Sequence, residues 1–392
     1  MGCGNGHTIG MQSWFASRLC LILTGCWWFM LGGATQAING PLSATVARQM
    51  GADPKGAAGE AGAWFFVSST VAVVLCTLLG ARLNRVILIR VGGVGLCVAA
   101  VAATLTNVWS VYLALLAVLG AAYALLSVWI NGEFSEEFKI GKDLIWMQIV
   151  NGFWGVGALL GPRVVAETLP NIRVPHQAIW VMAVIGLPLA LFVRRGPTKN
   201  QEGETTAPSL VTITQLLPLA FVLGIYVAAE VGTSMLMAFH MTETFRVTDS
   251  FAARVVSDMF LSFTAGRMLL SGVSAVMNPK TLVLVTSICA IVALVLATQP
   301  WAFRLGYILF GLSLAPIFPS VIAWSASVNG PGQRNASVLV FSGCIAAAAA
   351  PIIGNVLFKN APQNVPYLGM VSLALLAVLA MSIRPAASEA TS

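Results

Sequence analysis

Apolar positions in this chain come in blocks too long for a soluble core. Val91 to Ile130, Leu144 to Pro162, Thr281 to Phe303, Leu305 to Gln333, Asn335 to Phe358 and Asn360 to Ile383 contain no charged residue. Each meets or exceeds the roughly 20 residues that cross a hydrocarbon layer, and several are long enough for two passes. Cutting the blocks at Gly, Pro and charged clusters predicts twelve helices, at 14–40, 61–80, 86–106, 108–131, 144–162, 177–194, 213–239, 251–274, 281–299, 303–326, 336–357 and 366–383. One long polar stretch, 194–209, contains Pro197-Thr-Lys-Asn-Gln-Glu-Gly-Glu-Thr-Thr and reads as a flexible cytoplasmic linker between two sets of six.

Composition agrees with a bilayer as solvent: 58% of the 392 residues are hydrophobic and only 9% are charged. The net charge of +7 does not point to nucleic acid, because the basic residues sit singly at helix ends instead of clustering on one face. An even helix count puts both termini on one side. Placing that side in the cytoplasm of a cell (inner or plasma) membrane leaves thirteen Lys and Arg inside and eight outside, as the positive-inside rule demands. Trp14, Trp64, Trp109, Trp180 and Trp301 fall near helix ends, where interfacial aromatics gather. Met1-Gly2-Cys3 and Leu23-Thr24-Gly25-Cys26 are weak processing signals, and the apolar run continuing to Ala37 favours an uncleaved first helix. Of the seven cysteines, all but Cys3 lie in apolar segments, so neither disulfides nor a metal site is expected.

The chain also repeats itself. A shift of 192 residues lays Phe29-Met30-Leu31-Gly32 on Phe221-Val222-Leu223-Gly224, Ala37 and Gly40 on Ala229 and Gly232, and Gly80 on Gly272. Two related six-helix halves follow, 1–193 and 210–392. Parallel halves of this kind hold a solute site near mid-membrane, between them.

Gly80-Ala81-Arg82-Leu83-Asn84-Arg85, between helices two and three, resembles the major facilitator superfamily signature of Gly, three residues, Asp and Arg, with Asn84 in place of the acid. Gly266-Arg267 and Gly272 resemble its degenerate second copy. Tyr226 to Gly232, Gly311 to Pro319 and Gly155 to Pro162 look like the sugar-transporting fucose-permease branch. The resemblance implies an all-α membrane protein of twelve transmembrane helices in two pseudo-symmetric halves, working by alternating access, with Asn84, Arg85 and Arg267 as gating positions. The branch's coupling acids do not carry over: the matching positions are Asn39 and Ser127, which cannot carry a proton.

Glu230, in helix seven, is the sharpest candidate. A carboxylate about 6 Å from the midplane costs several kcal/mol unless paired, hydrated or protonated, so it is expected to face a central crevice as proton carrier or solute ligand. The bland alternative is a neutral Glu bonding a neighbouring helix. Asp258, at comparable depth in helix eight, is expected either to share that crevice or to be interfacial. Amides that suit a hydroxyl-rich solute are Gln36, Asn39, Asn131, Gln148 and Asn151, each with interhelical bonding as its alternative. Trp129, Trp154 and Trp324, away from the interfaces, are candidates for stacking on a sugar ring or for plain packing. The charged turn after helix four, Glu133 to Asp143, reads as an inner rim with gate salt bridges; His176 and His240 read as solvated imidazoles at outer helix ends.

These residues favour a secondary transporter of a small polar solute, a sugar or polyol first, driven by a proton gradient or running as a uniporter, with no cofactor. Exporters of amphipathic compounds, carriers of organic anions bound by Arg267, a channel or a sensor are the alternatives. No His-Glu-x-x-His, Gly-x-Ser-x-Gly or nucleotide loop is present, so an enzyme or an ATP-driven pump is not expected. The expected partners are the solute and the lipid bilayer, not nucleic acid, with the chain a monomer.

Overall fold

A computed structural model of the chain describes residues 6–79, 85–137, 144–192, 210–269, 277–329 and 333–383. Its elements are α1 (Gly6–Ala37), α2 (Asn39–Gln49), α3 (Ala57–Leu79), α4 (Arg85–Leu105), α5 (Trp109–Glu137), α6 (Leu144–Thr168), α7 (Arg173–Phe192), α8 (Leu210–Thr244), α9 (Asp249–Leu269), α10 (Pro279–Ala297), α11 (Phe303–Leu314), α12 (Ile317–Asn329), α13 (Gln333–Phe358) and α14 (Val365–Ser382). Eleven segments among the described residues are long and apolar enough to cross a membrane. Helix α9, which carries Asp249, Arg254, Asp258 and Arg267, completes a set of twelve.

Two of the twelve predicted helices are broken, and the breaks have one cause. A proline ring collides with the carbonyl four residues earlier. Pro41 therefore ends α1 after Ala37, and the chain resumes at Asn39 to continue as α2 out to Gln49, well beyond the predicted end at residue 40. Pro319 acts in the same way on Ala315, and the tenth helix divides into α11 and α12. Pro162, Pro188, Pro218 and Pro351 are carried inside continuous helices, as bundles with polar neighbours tolerate.

Helices α1 to α7 form one half and α8 to α14 the other, and the packing partners match. In the first half α1 packs on α6, α3 on α5, and α4 on α5 and α7; in the second α8 packs on α13, α9 on α11, and α10 on α11 and α14. Smaller features repeat too. Arg90 Nη2 donates to the Leu191 carbonyl at the end of α7 (3.1 Å), and Lys280 Nζ to the Ile383 carbonyl past α14 (2.6 Å). Each cation thus satisfies the orphan carbonyls of a helix C-terminus in its own half. Glycines permit equivalent backbone approaches: a Cβ at Gly120 would overlap the Phe65 carbonyl where α5 meets α3, and one at Gly311 the Met259 carbonyl where α11 meets α9. Large apolar side chains such as Leu23, Val98, Ile185, Val292 and Val378 stay exposed on the outside, the arrangement of a protein solvated by lipid.

The halves meet along α6 against α9 and α3 against α13. Ser257 Oγ donates to the Leu159 carbonyl (2.9 Å) and Thr70 Oγ1 to the Cys344 carbonyl (2.9 Å), both across the divide. These hydroxyl-to-carbonyl bonds supply adhesion where apolar burial gives none, since lipid is as apolar as the interface. The tightest crossing within a half is α1 on α6, where a Cβ at Gly157 would overlap the Met30 carbonyl. Gly157→Val is therefore expected to destabilise the protein by about 1–3 kcal/mol through overpacking. Gly152→Ala, where the added methyl meets nothing within 4 Å, should be neutral; thermal unfolding of the two purified variants compares them.

Candidate functional site

Glu230 is fourteen residues from either end of the apolar span Leu216–Thr244, hence at its midpoint and deeper than the sequence reading placed it. One turn away on the same face of α8, the fully buried Tyr226 brings its hydroxyl beside both the Glu230 carboxylate and the Arg267 guanidinium. Arg267 reaches there from the last turn of α9. Its guanidinium carbon stands 4.4 Å from the centre of the Phe263 ring and 6.0 Å from that of Trp154. Trp154 belongs to α6, so the cation is held between the two halves. Among the described residues, Glu230 and Arg267 attract one another without closing into a direct ion pair, and the Arg267 Nε has no hydrogen-bond partner.

The wall facing Glu230 from the first half is built on α5 and α6. Tyr123 lies beside Ser127 and Trp154 and within electrostatic range of Glu230. Gly32 of α1 makes room for it, since a Cβ there would come within 2.7 Å of the Tyr123 ring. Trp154 meets Phe260 of α9 edge-on at 6.1 Å. At Gly155 the missing side chain lets Thr264 of α9 come against the α6 backbone. The result is a carboxylate, a guanidinium and two phenol hydroxyls framed by Trp154, Phe260 and Phe263. Glu230 and Arg267 are half-buried.

The remaining candidates are distributed differently. Asp258 does not join this cluster: its carboxylate takes bonds from the Arg304 Nη2 (2.9 Å) and Nε (3.2 Å) of α11. Asn131 is exposed and donates to the Ser127 carbonyl one turn back in its own helix. Asn39, at the break between α1 and α2, is fully buried with neither amide atom bonded, next to Gly40, which abuts Met235 of α8. Gln36 and Asn151 are half-buried. Trp129 and Trp324 are buried, Trp129 with its indole nitrogen unpartnered. Asn84 lies outside the described residues, as do 138–143 of the charged turn. Arg85 opens α4, and Gln148 lies in α6. Glu137 from the charged turn pairs with Arg18 at 2.8 Å, within the first half and not across the divide.

His176 and His240 are the plain correction: neither is solvated. Each is about 1% exposed. His176 Nε2 lies 3.1 Å from the Tyr112 hydroxyl, and His240 Nδ1 lies 2.7 Å from that of Tyr307. Tyr112 and Tyr307 occupy the opening turns of the equivalent helices α5 and α11, while the histidines come from the non-equivalent α7 and α8, so each half has a structural tie of its own. Tyr307→Phe leaves a buried ring nitrogen unbonded. It should cost about 1–3 kcal/mol, measurable as a lower unfolding temperature with transport otherwise intact.

The sequence reading did not single out Tyr123, Phe260 or Phe263 for the site. Their one signal is spacing: Phe260, Phe263 and Arg267 lie at i, i+3 and i+7, on one face of α9.

No protein-family model matches the chain, and no curated protein sequence matches it. Solved structures do. The nucleoside transporter NupG superposes with a TM-score of 0.70 at 12% identity, covering 93% of this chain and 98% of that one. A point mutant of NupG gives 0.72 at 14%, with 93% and 99% covered. A bacterial homologue of the human lysosomal transporter Spinster, in an inward-facing and occupied conformation, gives 0.70 at 12%, with 93% and 97% covered. The chain has the major facilitator fold. Identities this low carry the architecture and not the solute, and these neighbours do not confirm the fucose-permease branch suggested by local motifs.

Proposed function

We propose that this integral membrane protein is a secondary transporter for a small, uncharged, ring-bearing polar solute, with Glu230 as its proton carrier. The observation that carries the reading is the meeting of Glu230, Tyr226 and Arg267 from one half with Trp154 and Tyr123 from the other, at the middle of the bundle. A carboxylate at that depth is expensive unless it does something that a neutral side chain cannot. The Tyr226 hydroxyl and the unpartnered Arg267 Nε offer donors, Glu230 offers an acceptor, and the aromatic rings offer faces for stacking. Because the carboxylate and guanidinium balance one another, the site suits a neutral solute better than an organic anion. Asn39, with both amide atoms unbonded, is a second candidate contact.

A sugar or polyol satisfies the hydrogen-bonding groups. A nucleoside is the second reading. It is favoured by the flat walls of Trp154 and Phe263, which suit a planar base, and by the similarity to a transporter of nucleosides. Both termini and the linker at 194–209 are assigned to the cytoplasm by the distribution of Lys and Arg.

Uptake of labelled uridine and of labelled hexoses into proteoliposomes, with and without an imposed proton gradient, tests the reading. Glu230→Gln is expected to abolish gradient-driven accumulation while solute exchange across a gradient-free membrane continues. Accumulation in that variant equal to the parent's would remove Glu230 from coupling.

A further inference from the structure

Among the described residues, the ion pairs that cross between the halves gather at one end of the bundle. Arg48, in the last turn of α2, pairs with Asp249, the first residue of α9. Thr45 Oγ1 donates to the same Asp249 oxygen at 2.9 Å. Arg254 of α9 reaches Glu167 in the last turn of α6 at 3.3 Å, while Arg163 holds the other Glu167 oxygen at 3.2 Å from within the same helix. Lys359, just past α13, stands 3.7 Å from Asp53. At this end backbones also touch: Gly40 lies against Met235, and Gly59 against Asn355 and the Pro351 carbonyl.

We infer that Arg48 with Asp249, and Arg254 with Glu167, form a reversible electrostatic latch that sets how readily this end opens. The inference rests on the reading of the fold as two rocking halves, but not on any particular solute or on Glu230.

Reversibility needs charges that remain tolerable after they part, and three of the four, Asp249, Arg48 and Glu167, have a second source of stabilisation in their own half. Asp249 stays at the N-terminus of α9 and Arg48 near the C-terminus of α2, both the favourable signs for the helix dipole. Glu167 keeps Arg163. Both pairs are partly exposed, with side-chain exposures of 49% and 24% for Arg48 and Asp249 and 47% for both Arg254 and Glu167, so water takes over the rest. A buried pair would instead leave bare charges on separation. The two bonds are also unequal. Arg163 competes with Arg254 for Glu167 from within its own half and weakens the closed state there, whereas the groups described on Asp249, Arg48 and Thr45, both reach it from α2 across the divide.

A cysteine at position 252 reports on the latch. Ala252 is fully buried, one turn beyond Asp249, and borders the crevice between α2, α8 and α9. The experiment reads its labelling by a water-soluble maleimide in lipid nanodiscs, with the parent lacking this cysteine as background. Arg48→Gln and Asp249→Asn should each speed labelling about twofold to fivefold, the range of a partly exposed pair, and the double variant no further than either single. Raising salt about tenfold should speed the parent reporter more than the double variant, in which Arg254 with Glu167 is still left to screen. Arg254→Gln should also speed it, whereas Arg163→Gln should slow it, because Glu167 then has only its partner across the divide. A merely structural role for Arg163 would give the opposite sign. Unchanged labelling in Asp249→Asn, additive singles, or acceleration by Arg163→Gln overturns the latch. Labelling that follows the expected pattern while Glu230→Gln still accumulates solute would leave the latch standing and sink the coupling reading alone.

Discussion

The lipid-solvated interior cannot leave a charge or a backbone polar group without a partner at low cost. That constraint makes every spanning element a helix. It also makes the few ionisable groups in those helices informative. Where Glu230 sits at the middle of its span, the surroundings answer it with a tyrosine hydroxyl and a guanidinium from the neighbouring helix. The guanidinium in turn rests on aromatic faces contributed by both halves. The polar centre and the divide between the halves are therefore one feature.

The architecture distributes adhesion accordingly. Around the centre the halves are joined by single hydroxyl-to-carbonyl bonds, Ser257 to Leu159 and Thr70 to Cys344, and by close glycine contacts, all of which can be remade after a small rotation. Within each half the ties are heavier: a buried tyrosine to histidine bond, a basic side chain capping a helix C-terminus, and glycines that bring backbones into contact. Stiff halves with a remakeable seam are what rigid-body rocking about a central site requires.

The helix count, the two-halved fold and the place of Glu230 inside a spanning helix were legible in the sequence, because each follows from apolar run length or from the rarity of charge inside those runs. Which way a side chain turns was not. These helices are apolar nearly all round, so the periodicity that reveals the inner face of a soluble helix is missing. Hence Asp258, similar to Glu230 in depth, turns instead to Arg304. Hence also the two histidines near helix ends are buried against tyrosines that lie 64 and 67 residues away in sequence. The breaks at Ile38 and at Ala315 were written in Pro41 and Pro319, but the same residue type is harmless at Pro162 and Pro351, where local packing decides. Among the site's aromatics, Trp154 drew notice as an intramembrane tryptophan, while Phe260 and Phe263 resemble any lipid-facing phenylalanine until Arg267 is placed over them.

The most direct measurement is the water accessibility of position 230. In a Glu230→Cys variant, a charged, water-soluble thiosulfonate should modify the cysteine readily, whereas a cysteine at the outward-facing Phe221 should react only with a lipid-soluble maleimide. A thiol at 230 that ignores the charged reagent and reacts like the one at 221 would place that face of α8 in the acyl chains and contradict a wet site between the halves.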